Sequence, residues 1–226
     1  MQSLRAEIAE GGPGAAITPD ALGPLARLAL AYAPAACRTE WLALLTLDQR
    51  LGRIVQTARE PILAQLKLAW WRDRLGSDPA QWTKGEPLLA MLSGWEDRAG
   101  LVALVDGWEA LLADEAELTQ SVRAFADGRA GAIASLSRKL AVSAPIADGA
   151  ARRWAIAELA MTGLSFPADK LLAEAGRPGR LPRALRPLAI LSGLSHRARV
   201  AGSRDALGGP GALLAAIRLG IVCGPA

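Results

Sequence analysis

Residues 41–75 run WLALLTLDQRLGRIVQTAREPILAQLKLAWWRDRL, a pattern that predicts two consecutive helices broken at Glu60-Pro61. Pro61 lacks the backbone N–H that a continuing helix would need, but it suits the first position of a new one. Before the break, Leu44, Leu47, Leu51, Ile54 and Val55 recur every three or four residues and form one apolar stripe. After it, Ile62, Leu66, Ala69 and Trp70 repeat the spacing, with Leu68, Trp71 and Leu75 on an adjoining face and Gly76 as the C-terminal cap. Adjacent residues project about 100° apart on a helix, so Trp70 and Trp71 cannot face the same neighbour. Trp70 continues the stripe of Ile62 and Leu66 and is expected in the core; Trp71 is expected on a ligand-facing side.

Composition extends the helical reading to the remaining chain. Hydrophobic residues make up 51% of the 226 and charged residues 21%, the balance of a globular protein. Seven of the ten aromatics are tryptophan, β-branched residues are few, and Ala and Leu abound, which favours helix over strand. Further helices are predicted over residues 20–33, 88–92, 101–112, 117–140, 147–164, 166–175, 182–200 and 212–219. The expected architecture is all-α, a single-domain bundle of about 8–10 helices over residues 18–226, preceded by a flexible arm at residues 1–17. Turns rich in glycine at 11–14 and 208–211 lack the Lys-Ser/Thr of a phosphate loop.

Several function classes fall away. Cys37 and Cys223 are too few for a disulfide framework, and His196 is the only histidine, which leaves no material for a zinc site or a histidine-dependent triad. MQSLRAEIAE has no apolar signal core, and the longest uncharged run, residues 206–217, is 12 residues long and too short to span a bilayer. A cytoplasmic protein, peripheral at most on the inner face of the membrane, is expected.

Charge is unevenly placed. Residues 1–120 carry 11 basic and 16 acidic side chains, a balance of −5, whereas residues 121–226 carry 15 and 6, a balance of +9. Arg177, Arg180, Arg183, Arg186, Arg197, Arg199 and Arg204 follow one another with no acid between them. Such a field suits an anionic membrane surface or an acidic protein partner, or else is a solvated positive face. Nucleic acid is the weaker candidate, because no helix-turn-helix or other reader is present and few aromatics accompany the arginines.

The central stretch resembles the squalene/phytoene synthase family, whose members are all-helical isoprenoid synthase bundles. Pro34 and Arg38 match its proline-x-x-x-Arg element, and Ala43-Leu44-Leu45-Thr46-Leu47 matches the start of the helix that follows. Leu68-Ala69-Trp70-Trp71-Arg72-Asp73 stands where the family has its Trp-Trp-Arg-Asp run. Leu104-Val105-Asp106-Gly107 and Ala130-Gly131-Ala132-Ile133 are similar to two shorter elements. The likeness covers residues 30–165 and, more weakly, continues to 200. It implies prenyl-diphosphate transfer with Mg²⁺ held by two aspartate-rich motifs.

Those motifs are missing. On the family pattern the first aspartates fall on Gly52, Arg53 and Gln56, none of which is a carboxylate. A hard dication needs several oxygen ligands, and an arginine at that place repels it. Downstream of residue 120 no two acids are three or four apart; Asp106/Glu109 and Asp114/Glu117 have that spacing but read as solvent-facing pairs. The resemblance is therefore nearest to the branch that includes a mitochondrial assembly factor for respiratory complex I. It implies a non-catalytic binding or assembly protein for an isoprenoid or lipid ligand or a protein partner, without cofactor. The alternative is a prenyl-diphosphate transferase with an atypical metal site, which alone would call for Mg²⁺. Candidate ligand- or anion-binding residues are Arg38, Arg53, Trp71 and Arg72; Arg177, Arg180, Arg183, Arg186, Arg197 and Arg199 are the candidate membrane or partner patch.

Overall fold

The structure, a computed structural model, describes residues 17–202 apart from 83, 144 and 178. Every regular element among the described residues is helical, as the composition predicts. The α-helices are α1 (Pro24–Ala31), α2 (Arg38–Thr57), α3 (Pro61–Gly76), α4 (Pro87–Leu92), α5 (Ala99–Ala110), α6 (Leu118–Lys139), α7 (Pro145–Leu159), α8 (Ala168–Glu174) and α9 (Arg186–Ala201). All but residue 17 of the arm expected over 1–17, the 208–211 turn, the helix at 212–219, Arg204 and Cys223 lie outside the described residues.

Proline places five of the nine α-helix starts among the described residues: Pro24, Pro61, Pro87, Pro145 and Pro187 each stand at the first or second helical position. The single helix expected over 20–33 is instead a 3-10 turn, Pro19–Ala21, followed by α1, with Gly23 as its N-cap and Pro24 beginning it. Pro24 has no N–H to carry the earlier helix through, so the chain restarts there.

α6 forms the centre, packed against α5 on one side and α7 on the other; α9 covers α7 and reaches α1, α3 lies on α5, and α2 lies on α4. Glycine makes the α5–α6 approach very close. A Cβ on Gly100 would overlap the Gly131 carbonyl, and one on Gly128 would overlap the Ala103 carbonyl. Gly107 faces Ala124 O and the Phe125 Cα, each at 3.1 Å from where its Cβ would stand. Gly107 and Gly131 belong to the two short elements singled out above, whose shared property is now a backbone-to-backbone seam. At its other end α2 is tied down by Trp41, whose Nε1 donates to Ala184 O at 2.9 Å, across the start of α9.

The facing of α3 is the reverse of the expectation. Its buried residues are Ala64, Leu68, Trp71 and Leu75, whereas Ile62, Leu63 and Leu66 are 55%, 42% and 54% exposed. Trp71 enters the core and Trp70 is half-buried, edge-on to it at 5.0 Å with the Arg74 guanidinium near its ring. The two apolar faces of α3 are close in quality. The one with spacing 4-3-4 wins because it sits squarely over α5, where Arg72 donates to Asp106 at 2.6 Å and to Glu109. Those acids are thus bound to α3 rather than free in solvent.

Trp71→Ala should cost roughly 3–5 kcal/mol and Trp70→Ala much less, read as urea midpoints with unchanged slopes. Equal midpoints would show that α3 is not seated by Trp71.

Candidate functional site

α2 presents Leu45, Asp48, Gly52 and Gln56 along one face, three or four residues apart, to a cavity of about 660 Å³. α1 forms the opposite wall, held there by Gln49: its Oε1 accepts from Gly23 N and its Nε2 donates to Ala21 O, both at 2.7 Å. Trp108 of α5, Arg129 of α6, and Trp154 and Glu158 of α7 close the inner end, with Met161 and Leu191 beside them.

The floor is a buried ion cluster. The Arg129 side chain is 2% exposed. Its Nη2 and Nε donate to the two Asp48 carboxylate oxygens at 2.8 and 3.2 Å, and its Nη1 donates to Glu158 Oε2 at 2.5 Å. Trp108 Nε1 adds a third bond to Asp48, at 2.9 Å. The guanidinium also stacks 3.8 Å from the Trp154 ring centroid and 4.6 Å from that of Phe125. Burial works against the Arg129 charge, yet the charges of Asp48 and Glu158 and the bonds they accept hold its pKa above the ordinary arginine value. Burial pushes the Asp48 carboxyl up, with the Arg129 charge opposing the shift. Arginine does not deprotonate in proteins, so the cluster keeps its cation at every physiological pH.

This cluster escaped the sequence reading, although each member carried a signal. Asp48 interrupts the buried stripe between Leu44 and Leu51; Arg129 does the same between Phe125 and Ile133. A charge on an apolar face must find a partner or be expelled.

Of the residues expected at the site, Gly52, Arg53 and Gln56 line the cavity. Gly52 is there because the Trp108 ring takes the space of a side chain, 2.9 Å from where a Cβ would stand. Arg53 is exposed on the cavity wall and makes no ion pair among the described residues. Arg38 is elsewhere, exposed, and donates to Ala33 O at 3.2 Å. Trp71 is core and Arg72 is engaged by Asp106 and Glu109, so neither is a cavity residue. In the basic segment Arg177, Arg180, Arg183 and Arg197 are exposed, Arg186 is half-buried, and Arg199 pairs with Asp169 at 3.0 Å. His196 is half-buried.

The donor set does not fit Mg²⁺ and a diphosphate. Both carboxylates that line the cavity among the described residues, Asp48 and Glu158, already accept from Arg129 and are not free to take a dication. Among the described residues, no three His, Cys, Asp or Glu side chains converge. Comparison of the chain with protein-family models, curated proteins and solved structures gives no significant match.

Removing one partner from a buried pair costs about 3–5 kcal/mol. Asp48→Ala should therefore destabilise by that amount, and Glu158→Ala by less, since Glu158 is 39% exposed and water replaces its bond. The Asp48→Ala/Arg129→Met double variant should be more stable than the sum of its single variants. Additive urea-unfolding energies would contradict the pairing.

Proposed function

We propose that this chain is a non-catalytic binding protein on a squalene/phytoene synthase-like scaffold, taking an isoprenoid or other lipid with an anionic head into its central cavity. The single observation that carries the reading is the Arg129 bridge between Asp48 and Glu158. It puts a permanent cation, fully partnered, in the place where metal-assisted ionisation of a diphosphate would need ligands. The cavity has the features of a lipid site: Leu45, Trp108, Trp154, Met161 and Leu191 offer apolar walls, and Arg53 offers a guanidinium with no ion pair among the described residues. An apolar chain gains about 25 cal/mol per Å² against those walls, and the head gains a charge-assisted bond at Arg53.

A membrane surface is the natural source of such a ligand. No helix among the described residues is long and apolar enough to cross a bilayer. Ile62, Leu63 and Leu66 are nevertheless exposed on the first turns of α3, beside Arg59 and Lys67 and only a few residues along the chain from Arg53 and Gln56 of the cavity wall. Apolar side chains rimmed by cations suit the interface of an anionic bilayer.

Quenching of tryptophan fluorescence should report saturable binding of farnesyl monophosphate, tighter than that of farnesol. Arg53→Glu should abolish the difference, a loss of about tenfold or more for a hydrogen bond to a charged group. Farnesyl diphosphate with Mg²⁺ should return unchanged. A dimerised prenyl product would overturn the non-catalytic reading in favour of a transferase, and absence of binding by both probes would remove the lipid site.

A further inference from the structure

A second concavity lies on the far side of α7 from the central cavity. Trp154 and Glu158 face the central cavity, whereas Arg153, one position away and so turned by about 100°, lines this cleft. α9 divides in the same way: Leu191 borders the central cavity, and His196 and Arg199 border the cleft. α8 and the chain just after it supply Asp169, Gly176 and Arg177. Its volume is about 300 Å³, at the small end for an organic ligand and ample for a phosphoryl group.

The charge there is lopsided. Among the described residues, three guanidinium groups and an imidazole line the cleft against one carboxylate, Asp169, which is 88% exposed and pairs with Arg199. Arg153 Nη1 donates to Leu172 O at 3.3 Å and to Gly176 O at 3.2 Å, which fixes its guanidinium at the end of α8 without neutralising it. Arg177 is exposed and has no ion pair among the described residues. Two nitrogens of these residues, Arg199 Nε and His196 Nδ1, are buried with no hydrogen-bond partner among the described residues. Orphaned buried polar atoms are rare, and each asks for an explanation. Burial, reinforced by the charges of Arg153 and Arg199 and opposed by that of Asp169, pushes the His196 pKa below its ordinary value. Burial and the Arg199 charge also lower that of Arg153. Like charges held this close without enough counter-charge suit a polyvalent anion, and the planar forks of arginine match its oxygens.

We propose that the cleft between α7, α8 and α9 is a phosphate-binding site, separate from the central cavity, formed by Arg153, Arg177, His196 and Arg199. The bound group is a phosphate dianion or a phosphomonoester, either on a small molecule or on a lipid headgroup. Binding stabilises the imidazolium form of His196.

His196 is the only histidine in the chain, so its ring C–H signals in NMR are unique. Its titration is to be followed in sodium chloride, then in sodium phosphate and in sodium sulfate at matched ionic strength. Sulfate keeps its charge across the titration and so isolates the response of the imidazole. Both dianions should raise the His196 pKa saturably, and chloride should not. Arg177→Gln, at an exposed position, should weaken the response about tenfold, and Asp169→Asn should strengthen it by removing the competing carboxylate. Vesicles of phosphatidylcholine, with and without phosphatidic acid, separate the sources. A His196 shift with phosphatidic acid that free phosphate cannot match assigns a lipid headgroup; a shift with free phosphate alone assigns a soluble phosphate. A His196 pKa indifferent to phosphate, sulfate and phosphatidic acid, or an Arg177→Gln response equal to that of the parent, would overturn the site. None of these readouts involves the central cavity, so failure of the lipid reading and failure of this one are distinguishable.

Discussion

A guanidinium that cannot lose its proton sits inside this bundle, and much of the structure is arranged to satisfy it. Arg129 draws Asp48 from α2 and Glu158 from α7 onto one group, with rings from α5, α6 and α7 packed around it. An isolated buried charge would cost several kcal/mol even after relaxation, so each partner helix is constrained in rotation and in height relative to α6. The glycine seam between α5 and α6 is what makes this possible. Gly128 and Gly131 flank Arg129 and bring the two backbones together, which sets Trp108 within reach of Asp48 and of the Arg129 guanidinium.

The same cluster shapes what the cavity can do. Its ion cluster is internally satisfied, so apart from Trp154 Nε1, buried with no partner among the described residues, it offers a ligand an aromatic and apolar surface, while Arg53, with no ion pair among the described residues, stands on the wall. Metal-dependent ionisation needs carboxylates free to take a dication, and here both are committed to arginine. Gly52 carries the same message in steric form: a carboxylate there would have to displace a tryptophan that is itself hydrogen-bonded to Asp48.

Helix α7 separates two environments of opposite character. Trp154 and Glu158 turn toward an apolar cavity whose charges are paired; Arg153 turns toward a cleft whose cations outnumber its carboxylate. A single turn of helix thus serves both. The basic arginines that follow one another in the last third of the sequence do not act alike: Arg177 and Arg199 line the cleft, whereas Arg180, Arg183 and Arg197 are exposed and do not line it.

The sequence by itself determined the elements. Abundant Ala and Leu, apolar spacing of three and four residues, and prolines with no N–H to donate specify helices and the break at Pro61, because these are local properties of the backbone. It also determined that Gly52 and Gln56, four residues apart, share one face of α2, with Arg53 turned about 100° from Gly52. Tertiary structure alone decided which face of α3 is buried. Ile62, Leu66 and Trp70 offered one stripe and Ala64, Leu68 and Trp71 another of similar quality, and periodicity ranks faces without saying which meets a neighbour. It likewise decided the meeting of Asp48 with Arg129, 81 residues later, and of Arg153 with His196 and Arg199 around one cleft. A charge in an apolar stripe announces that a partner is needed, but the partner's identity depends on how close two backbones come. Between α5 and α6 that distance is set by glycines, whose missing side chains leave no mark in a hydrophobic pattern.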